Sequence, residues 1–497
     1  MTIKLSRAAL PGLPAGVAAP RYRREQLSPG IVHIGVGNFH RAHQAVYLDD
    51  LFNAGRDHDW ALIGAGVRAG DAAMRATLRA QDWLTTVVEM EPGARRPRVT
   101  GAMIDFAEVA ADNAPLIAAM ADPRIRIVSL TVTEGGYYIN AATGAFDPAH
   151  PEIAADAASP GAPVTAFGAI LAALERRRAA GVRPFTVMSC DNIPGNGHVT
   201  QNAVAGLAAL RDAALADWIN AEVAFPNSMV DRITPATTDA RRASLATDHG
   251  LEDGWPVFCE PFRQWVMEDR FCLGRPAFET VGVTFSDQVA AFELMKLRIL
   301  NGGHAAIAYP AALLDLAYAH DAMAHPLVSG FMGKLAREEV IPVVPPVPGV
   351  DLGAYLALIE GRFANTEIAD TIARLCFDGS NRQPKFVLPS TRDRLAKGWP
   401  VTGLALESAL WCRYLHGESD SGAGIAIEDV NAARLQEAAR AARAEPLAFL
   451  ALDDIFGDVA QAPAFRDAFS AALAGLWRDG VAATLSRYLA LPPGAAL

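Results

Sequence analysis

Cysteine is scarce in this chain of 497 residues, with five at Cys190, Cys259, Cys272, Cys376 and Cys412 and no C-x-x-C pair among them. That scatter argues against a disulfide framework and a thiolate zinc cage, and it makes a reducing cytoplasm the expected compartment. Long apolar runs are missing too. Ala305 to Leu314 is interrupted by Pro310 and falls short of the roughly 20 residues a membrane helix needs, so no membrane partner is expected. Basic stretches are equally few: Arg176 to Arg178 is the one short run, and the formal net charge is -11. A surface of that sign repels phosphate backbones, so nucleic acid is not an expected partner. Low-complexity tracts and internal repeats are absent, and so is the H-E-x-x-H spacing of zinc proteases. His33, His40 and His43 are close enough in sequence to suggest a metal hydrolase. However, one falls in a predicted strand and two in the first turns of a helix, and no metal is expected.

What is present is a globular composition, 51% hydrophobic and 20% charged. Single cores stop growing beyond roughly 250 to 300 residues, which predicts two domains. Residues 1 to 28 carry Pro11, Pro14 and Pro20, which break any signal-peptide helix. They read as an exposed lead-in strand and loop, with a transit peptide as the alternative.

Beyond them an apolar run at Ile31 to Ile34 passes through Gly35 and Gly37 into a helical pattern with Ala45, Leu48 and Phe52 on one side, closed by Gly55. Further strand-like runs occur at Trp60 to Val67, Leu84 to Val88, Ile125 to Thr133 and Phe185 to Ser189, with helical stretches at Ala114 to Met120 and Val164 to Ala180. Such alternation predicts a parallel sheet covered by helices. After about residue 288 the strand signals fade, and alanine- and leucine-rich helices such as Gln436 to Leu452 and Ala464 to Trp477 take over. Four prolines in Ile341 to Val350 predict an ordered surface crossing within that half. The expected fold class is an α/β Rossmann-type N-terminal domain, residues 1–287, followed by a mainly α-helical C-terminal domain, residues 288–497.

Gly35-Val36-Gly37-Asn38-Phe39-His40 follows a predicted strand and opens a helix. In that context Gly35 makes the tight turn and Gly37 admits a pyrophosphate to the helix N-terminus, although His40 replaces the third glycine of the usual fingerprint. A plain structural turn is the competing reading. Asp71, past the second strand, suits the ribose hydroxyls of NAD and would repel a 2′-phosphate. Arg68 argues the other way, and a helix N-cap before Ala72 to Leu78 is the plainer reading of Asp71. The stretch Lys296 to His304 carries Lys296, Asn301 and His304. On an α-helix Asn301 lies about 140° and His304 about 80° from Lys296, so all three can serve one cleft, although spacing alone favours a surface Lys, a helix-terminal Asn before Gly and a capping His. A desolvated lysine can take a hydroxyl proton while amides and an imidazole hold the developing alkoxide. Asn192, in Ser189-Cys190-Asp191-Asn192 at a predicted strand end, could add a second amide there or simply form an Asx turn.

Several segments together resemble the polyol-specific long-chain dehydrogenase family: Ile31 to His43, Thr131 to Tyr137, Val187 to Asn192, Val223 to Pro235, Cys259 to Trp265, Lys296 to His304 and Asp378 to Ser380. The resemblance implies metal-independent, NAD-dependent interconversion of a sugar alcohol and a ketose, D-mannitol and D-fructose first, with D-arabinitol, sorbitol or a fructuronate-type uronate as alternatives. It implies Lys296 as general base, Asn192 and Asn301 as oxyanion-hole amides, and His304 as the group that orients the reacting oxygen. Asp231, Arg374 and Arg382 are implied as substrate contacts and Glu134 as a proton relay. Arg382 stands where the family generally has lysine, with Lys385 nearby, and Gly70 replaces an acidic residue beside Asp71. Uronate-acting relatives tend to carry lysine where this chain has Gly135, which favours a neutral polyol. A nucleotide-binding regulator without chemistry is the reading from another class.

Overall fold

The computed structural model describes residues 2–140 and 143–497. It divides into two compact units, Met1–Ala290 and Ala291–Leu497.

The first unit is built on five parallel strands, β1 (Pro29–Ile34), β2 (Ala61–Ala65), β3 (Met103–Phe106), β4 (Ile127–Leu130) and β5 (Thr186–Ser189). Their order is β3-β2-β1-β4-β5, the doubly wound arrangement of a nucleotide-binding half-sheet. A parallel sheet covered on both faces reads as continuous apolar sequence rather than alternation. Accordingly, Val32 and Ile34 pack with the helices Ala114–Ala121, Ala166–Ala179 and Asn196–Ala209, while Ile31 packs on the other side with Tyr47, Leu48, Leu51 and Trp265. The strand expected at Leu84 to Val88 forms as Thr85–Glu91 but lies outside this sheet. It pairs antiparallel with Ala94–Thr100 and parallel with Val257–Cys259 in a separate three-stranded sheet. The N-terminal segment is docked rather than a free lead-in: Ile3–Lys4 pairs with Leu251–Glu252, and Leu5 and Val17 are buried. The single helix expected after Gly37 is two, Asn38–Ala42 and Gln44–Asn53, separated at His43.

The second unit is helical, and among its described residues β structure is limited to isolated bridges such as Tyr318↔Thr371 and Glu418↔Gly424. Its expected helix at Gln436 to Leu452 is interrupted, forming Ala432–Ala442 and Leu447–Leu450, because Pro446 cannot continue a helix. The last helix, Pro463–Ala490, breaks at Gly480 (φ 80°), after which the Asp420 carboxylate accepts the Val481 N–H at 2.6 Å and restarts it. Part of the proline-rich crossing forms a short 3₁₀ turn, Ile341–Val343, and Val343, Val344 and Val347 are buried. No helix among the described residues is long and apolar enough to cross a membrane.

Every residue of the helix Thr402–Leu415 is buried, as expected for one apolar on nearly all sides. It carries Glu407, whose Oε1 accepts a 2.7 Å bond from Gln383 Nε2. Burial pushes this carboxyl up to about 8 against partial compensation by Gln383 and Ser408. The folded-state value thus exceeds the unfolded one, so the proton stabilises the fold at low pH, and that contribution is lost as pH rises through about 8. Glu407→Gln, which keeps the hydrogen bond without the titration, should hold its melting temperature better than the parent between pH 5 and 8. The difference should grow by about 1.4 kcal/mol per pH unit. Parallel melting curves across that range would show that Glu407 is not held neutral.

Candidate active site

The sheet's carboxyl edge gathers three loops. At the end of β1, Gly35 has φ 95°, and a Cβ there would collide with the Thr131 carbonyl, so only glycine can make this turn. Gly37 fronts open space, since a Cβ would find only the Gly35 oxygen at 4.0 Å. The donor side of this turn therefore fits the close approach of a dinucleotide pyrophosphate. Val36 is buried behind the turn. Asn38 Oδ1 accepts from Arg41 Nη2 at 2.7 Å, and the Phe39 ring stacks on His43 at 4.8 Å. His40, at the third glycine position, stacks on His33 at 3.4 Å. His33 in turn spends its nitrogens on Ser129 Oγ (2.8 Å), Thr131 Oγ1 (2.9 Å) and the Gly35 carbonyl (3.1 Å). Burial drives His33 and His43 down to about 3 and His40 well below its ordinary range, so the three rings are neutral packing elements. Among the described residues no group of three or more His, Cys, Asp or Glu side chains could hold a metal ion.

Past β2, Asp71 opens the helix Asp71–Ala80, and its Oδ2 accepts the Arg68 N–H at 2.9 Å. The Arg68 guanidinium is turned to Glu152 at 2.9 and 3.4 Å. The residue that could have attracted a 2′-phosphate is thereby committed elsewhere.

Beyond β4 and β5 lies the most heavily hydrogen-bonded part of the edge. Asp191 is buried and accepts three bonds: Val132 N at 2.9 Å, Thr133 N at 3.0 Å and Tyr137 Oη at 2.7 Å. Burial raises its carboxyl, and these donors pull it back. Thr133 sits at φ 66°, ψ 166°, a region essentially reserved for glycine that costs a side-chain-bearing residue about 1–3 kcal/mol. Glu134 and Asn192 are exposed on this edge. Asp231 ends the strand Ser228–Asp231 and is buried; Asn196 ties that strand to the edge, bonding Ser228 O at 2.7 Å and Asp191 O at 3.1 Å.

In the second unit Lys296 is 6% exposed and starts a turn that is not α-helical. Lys296–Asn301 forms a π-helix, and the Gly302 N–H reaches back to the Leu297 carbonyl. With i→i+5 bonding one extra residue enters the turn, which brings Asn301 nearer the Lys296 side of the helix than the roughly 140° that regular α-helix spacing implies. Such single-turn insertions occur frequently at functional sites. His304 follows in the helix Gly302–Leu313, its ring stacked on Phe363 at 4.1 Å. Its Nε2 is buried and finds no hydrogen-bond partner among the described residues. Burial first, then the positive charges of Arg374, Arg362, Arg382 and Lys296, hold His304 well below its ordinary range.

The structure thus gathers Lys296, Arg374 and Arg382 around the His304 imidazole, with Asn301 just before its helix, and it adds Arg362, which carried no recognisable signal in sequence. Arg374 is forked onto Asp370, and Arg382 donates to the Leu375 carbonyl at 2.9 Å. Lys385 is exposed. A neutral imidazole with an unsatisfied nitrogen beside a buried lysine and an amide can hold and deprotonate a hydroxyl group.

Comparison with known proteins follows the same division of the chain. Residues 29–280 match the model described as mannitol dehydrogenase Rossmann domain, and residues 288–477 the mannitol dehydrogenase C-terminal domain. The chain is 62% identical over 474 residues to a mannitol 2-dehydrogenase of Cereibacter sphaeroides, covering 95% of this chain and 99% of that protein. It superimposes on the Pseudomonas fluorescens mannitol 2-dehydrogenase ternary complex with NAD and D-mannitol with a TM-score of 0.87, at 44% identity, over 99% of this chain and 100% of the other. A D-sorbitol dehydrogenase solved in substrate-free form gives a TM-score of 0.90 at 34% identity, over 97% of this chain and 100% of the other.

Proposed function

The chain belongs to the mannitol dehydrogenase family, and from that premise we propose that Lys296 is the general base in its oxidation of a polyol. It is an NAD-dependent polyol dehydrogenase that oxidises D-mannitol to D-fructose and catalyses the reverse. Because fructose is a 2-ketose, the hydroxyl that reacts is the one on C2. The Gly35–Gly37 turn, with Asp71 toward the ribose, would hold NAD, which when bound would accept the hydride from C2. Val36, Asn38 and Phe39 complete the cofactor's turn.

A base must be uncharged before it can accept a proton, and removal from water disfavours an ammonium. The burial of Lys296 supports that role. The C2 hydroxyl proton passes to Lys296 Nζ, and Asn192 and Asn301 donate their amide N–H groups to the oxygen as negative charge builds on it. His304, neutral and lacking an internal partner for Nε2, orients the same oxygen. Glu134, exposed at the sheet edge, carries the proton onward to solvent. Asp231, Arg374 and Arg382 bind the remaining hydroxyls. With Arg374 paired to Asp370 and Arg382 turned to a backbone carbonyl, these cations suit hydroxyl groups better than a carboxylate. Gly135 adds no further cation.

The observation that supports this reading best is the π-turn running from a buried Lys296 to Asn301. The test is a comparison of initial rates of NADH oxidation with fructose, xylulose, sorbose and fructuronate. Fructose should give the highest kcat/KM, by about tenfold or more, the discrimination expected from one misplaced substrate group. Fructuronate turnover equal to that of fructose would overturn the neutral-polyol assignment, and NADH binding without turnover of any of the four would favour a regulator.

A further inference from the structure

The buried carboxylate of Asp191 has no role in the reaction given above, yet it joins the loops that bear Glu134 and Asn192. Its oxygens accept the consecutive amides of Val132 and Thr133 and the Tyr137 phenol. Tyr137 also bonds Ser189 Oγ at 2.6 Å, and Asn196 Nδ2 holds the Asp191 carbonyl at 3.1 Å. On the other side of the same loop, Thr131 Oγ1 donates to the Gly35 carbonyl of the cofactor turn. The ends of β4 and β5 are therefore linked through the Asp191 side chain and the end of β1 through Thr131, and the residue after Asp191 is Asn192.

The backbone inside this link is under strain. Thr133, β-branched and exposed, adopts φ 66°, ψ 166°, where glycine would sit at no cost. A threonine stays there only when its surroundings over-determine the conformation, and two of its fixings are the Asp191 bonds to its own amide and the one before it. Glu134 follows directly, and its charge is felt at Asp191.

We propose that Asp191 is a positioning residue for hydride transfer: by clamping Val132 and Thr133 it sets Glu134 and Asn192 in the register that the reaction uses. This rests on the roles given to Asn192 and Glu134 above. A carboxylate is required because three donors converge on it; a neutral side chain of the same size would face at least one of them with a hydrogen or a methyl group.

The test uses the full-length enzyme and the variants Asp191→Ala, Asp191→Ala with Thr133→Gly, and Tyr137→Phe. For Asp191→Ala the expected outcome is a fall in kcat of about 100-fold, the penalty of a misplacement near 1 Å, with NADH affinity and KM for mannitol within about threefold of the parent. Adding Thr133→Gly removes the strain, so the melting temperature should recover while kcat does not. Tyr137→Phe, which keeps the ring and the other two bonds, should lose about tenfold in kcat with little change in melting temperature, and it serves if Asp191→Ala does not fold. Joint recovery of kcat and melting temperature in the double variant would overturn the proposal, as would parental kcat in Asp191→Ala or Tyr137→Phe. If Asn192→Ala turns over normally while Asp191→Ala is slow, the oxyanion role of Asn192 fails and the clamp acts through Glu134 alone.

Discussion

Lys296→Ala should reduce kcat for mannitol oxidation by about 10⁴-fold, the upper end for removal of a positioned base, while the NADH dissociation constant stays within about threefold. The asymmetry follows from what the side chain does. On the roles proposed, cofactor binding falls to the glycine turn and Asp71, and the substrate hydroxyl falls to Lys296 at the start of the π-turn. The lost interaction exists only while a proton moves, so kcat and kcat/KM should fall together. One further variant separates chemistry from packing. Lys296→Arg preserves positive charge and length but cannot shed its proton, so it should be nearly as slow as the alanine variant. A rapid arginine variant would mean that residue 296 acts by charge alone.

The central sheet was legible because strands buried on both faces show themselves as short β-branched runs: Ile31 to Ile34, Ile127 to Leu130 and Thr186 to Ser189 need no tertiary knowledge to be found. Its outer strand, Met103–Phe106, was not found, because a four-residue edge strand with Asp105 exposed offers no such run. Ala94–Thr100, with three arginines and Pro97, offers no apolar run either, and its pairing across the turn at Gly93 draws Thr85–Glu91 away from the sheet assigned to it. The candidate site divides in the same way. Lys296, Asn301 and His304 could be grouped by proximity in sequence, but the π-turn could not. Inserting a residue into a helical hydrogen-bond ladder changes which carbonyl each amide selects without altering the apolar pattern. Asp191 illustrates the other limit. Its three donors lie 54 to 59 residues earlier in the chain, and sequence showed only a polar residue at a strand end.

Asn192 and Asn301 should behave as a coupled pair. Removing one donor to a developing oxyanion typically costs about 10²- to 10³-fold in kcat, and each single alanine variant should fall in that range with KM for mannitol within about threefold. The informative quantity is the double variant. Side chains that serve unrelated ends lose activity independently, and their free energies add to within about 0.5 kcal/mol. If both amides serve one oxygen, as proposed, the losses do not add, because the electron density left by the first loss is redistributed onto the donor that remains, and water replaces both at once in the double variant. Asn192→Ala with Asn301→Ala should therefore depart from additivity by more than about 0.5 kcal/mol. Strict additivity would remove Asn192 from the oxyanion site and leave Asn301, on the π-turn with Lys296, as the amide that the alkoxide requires.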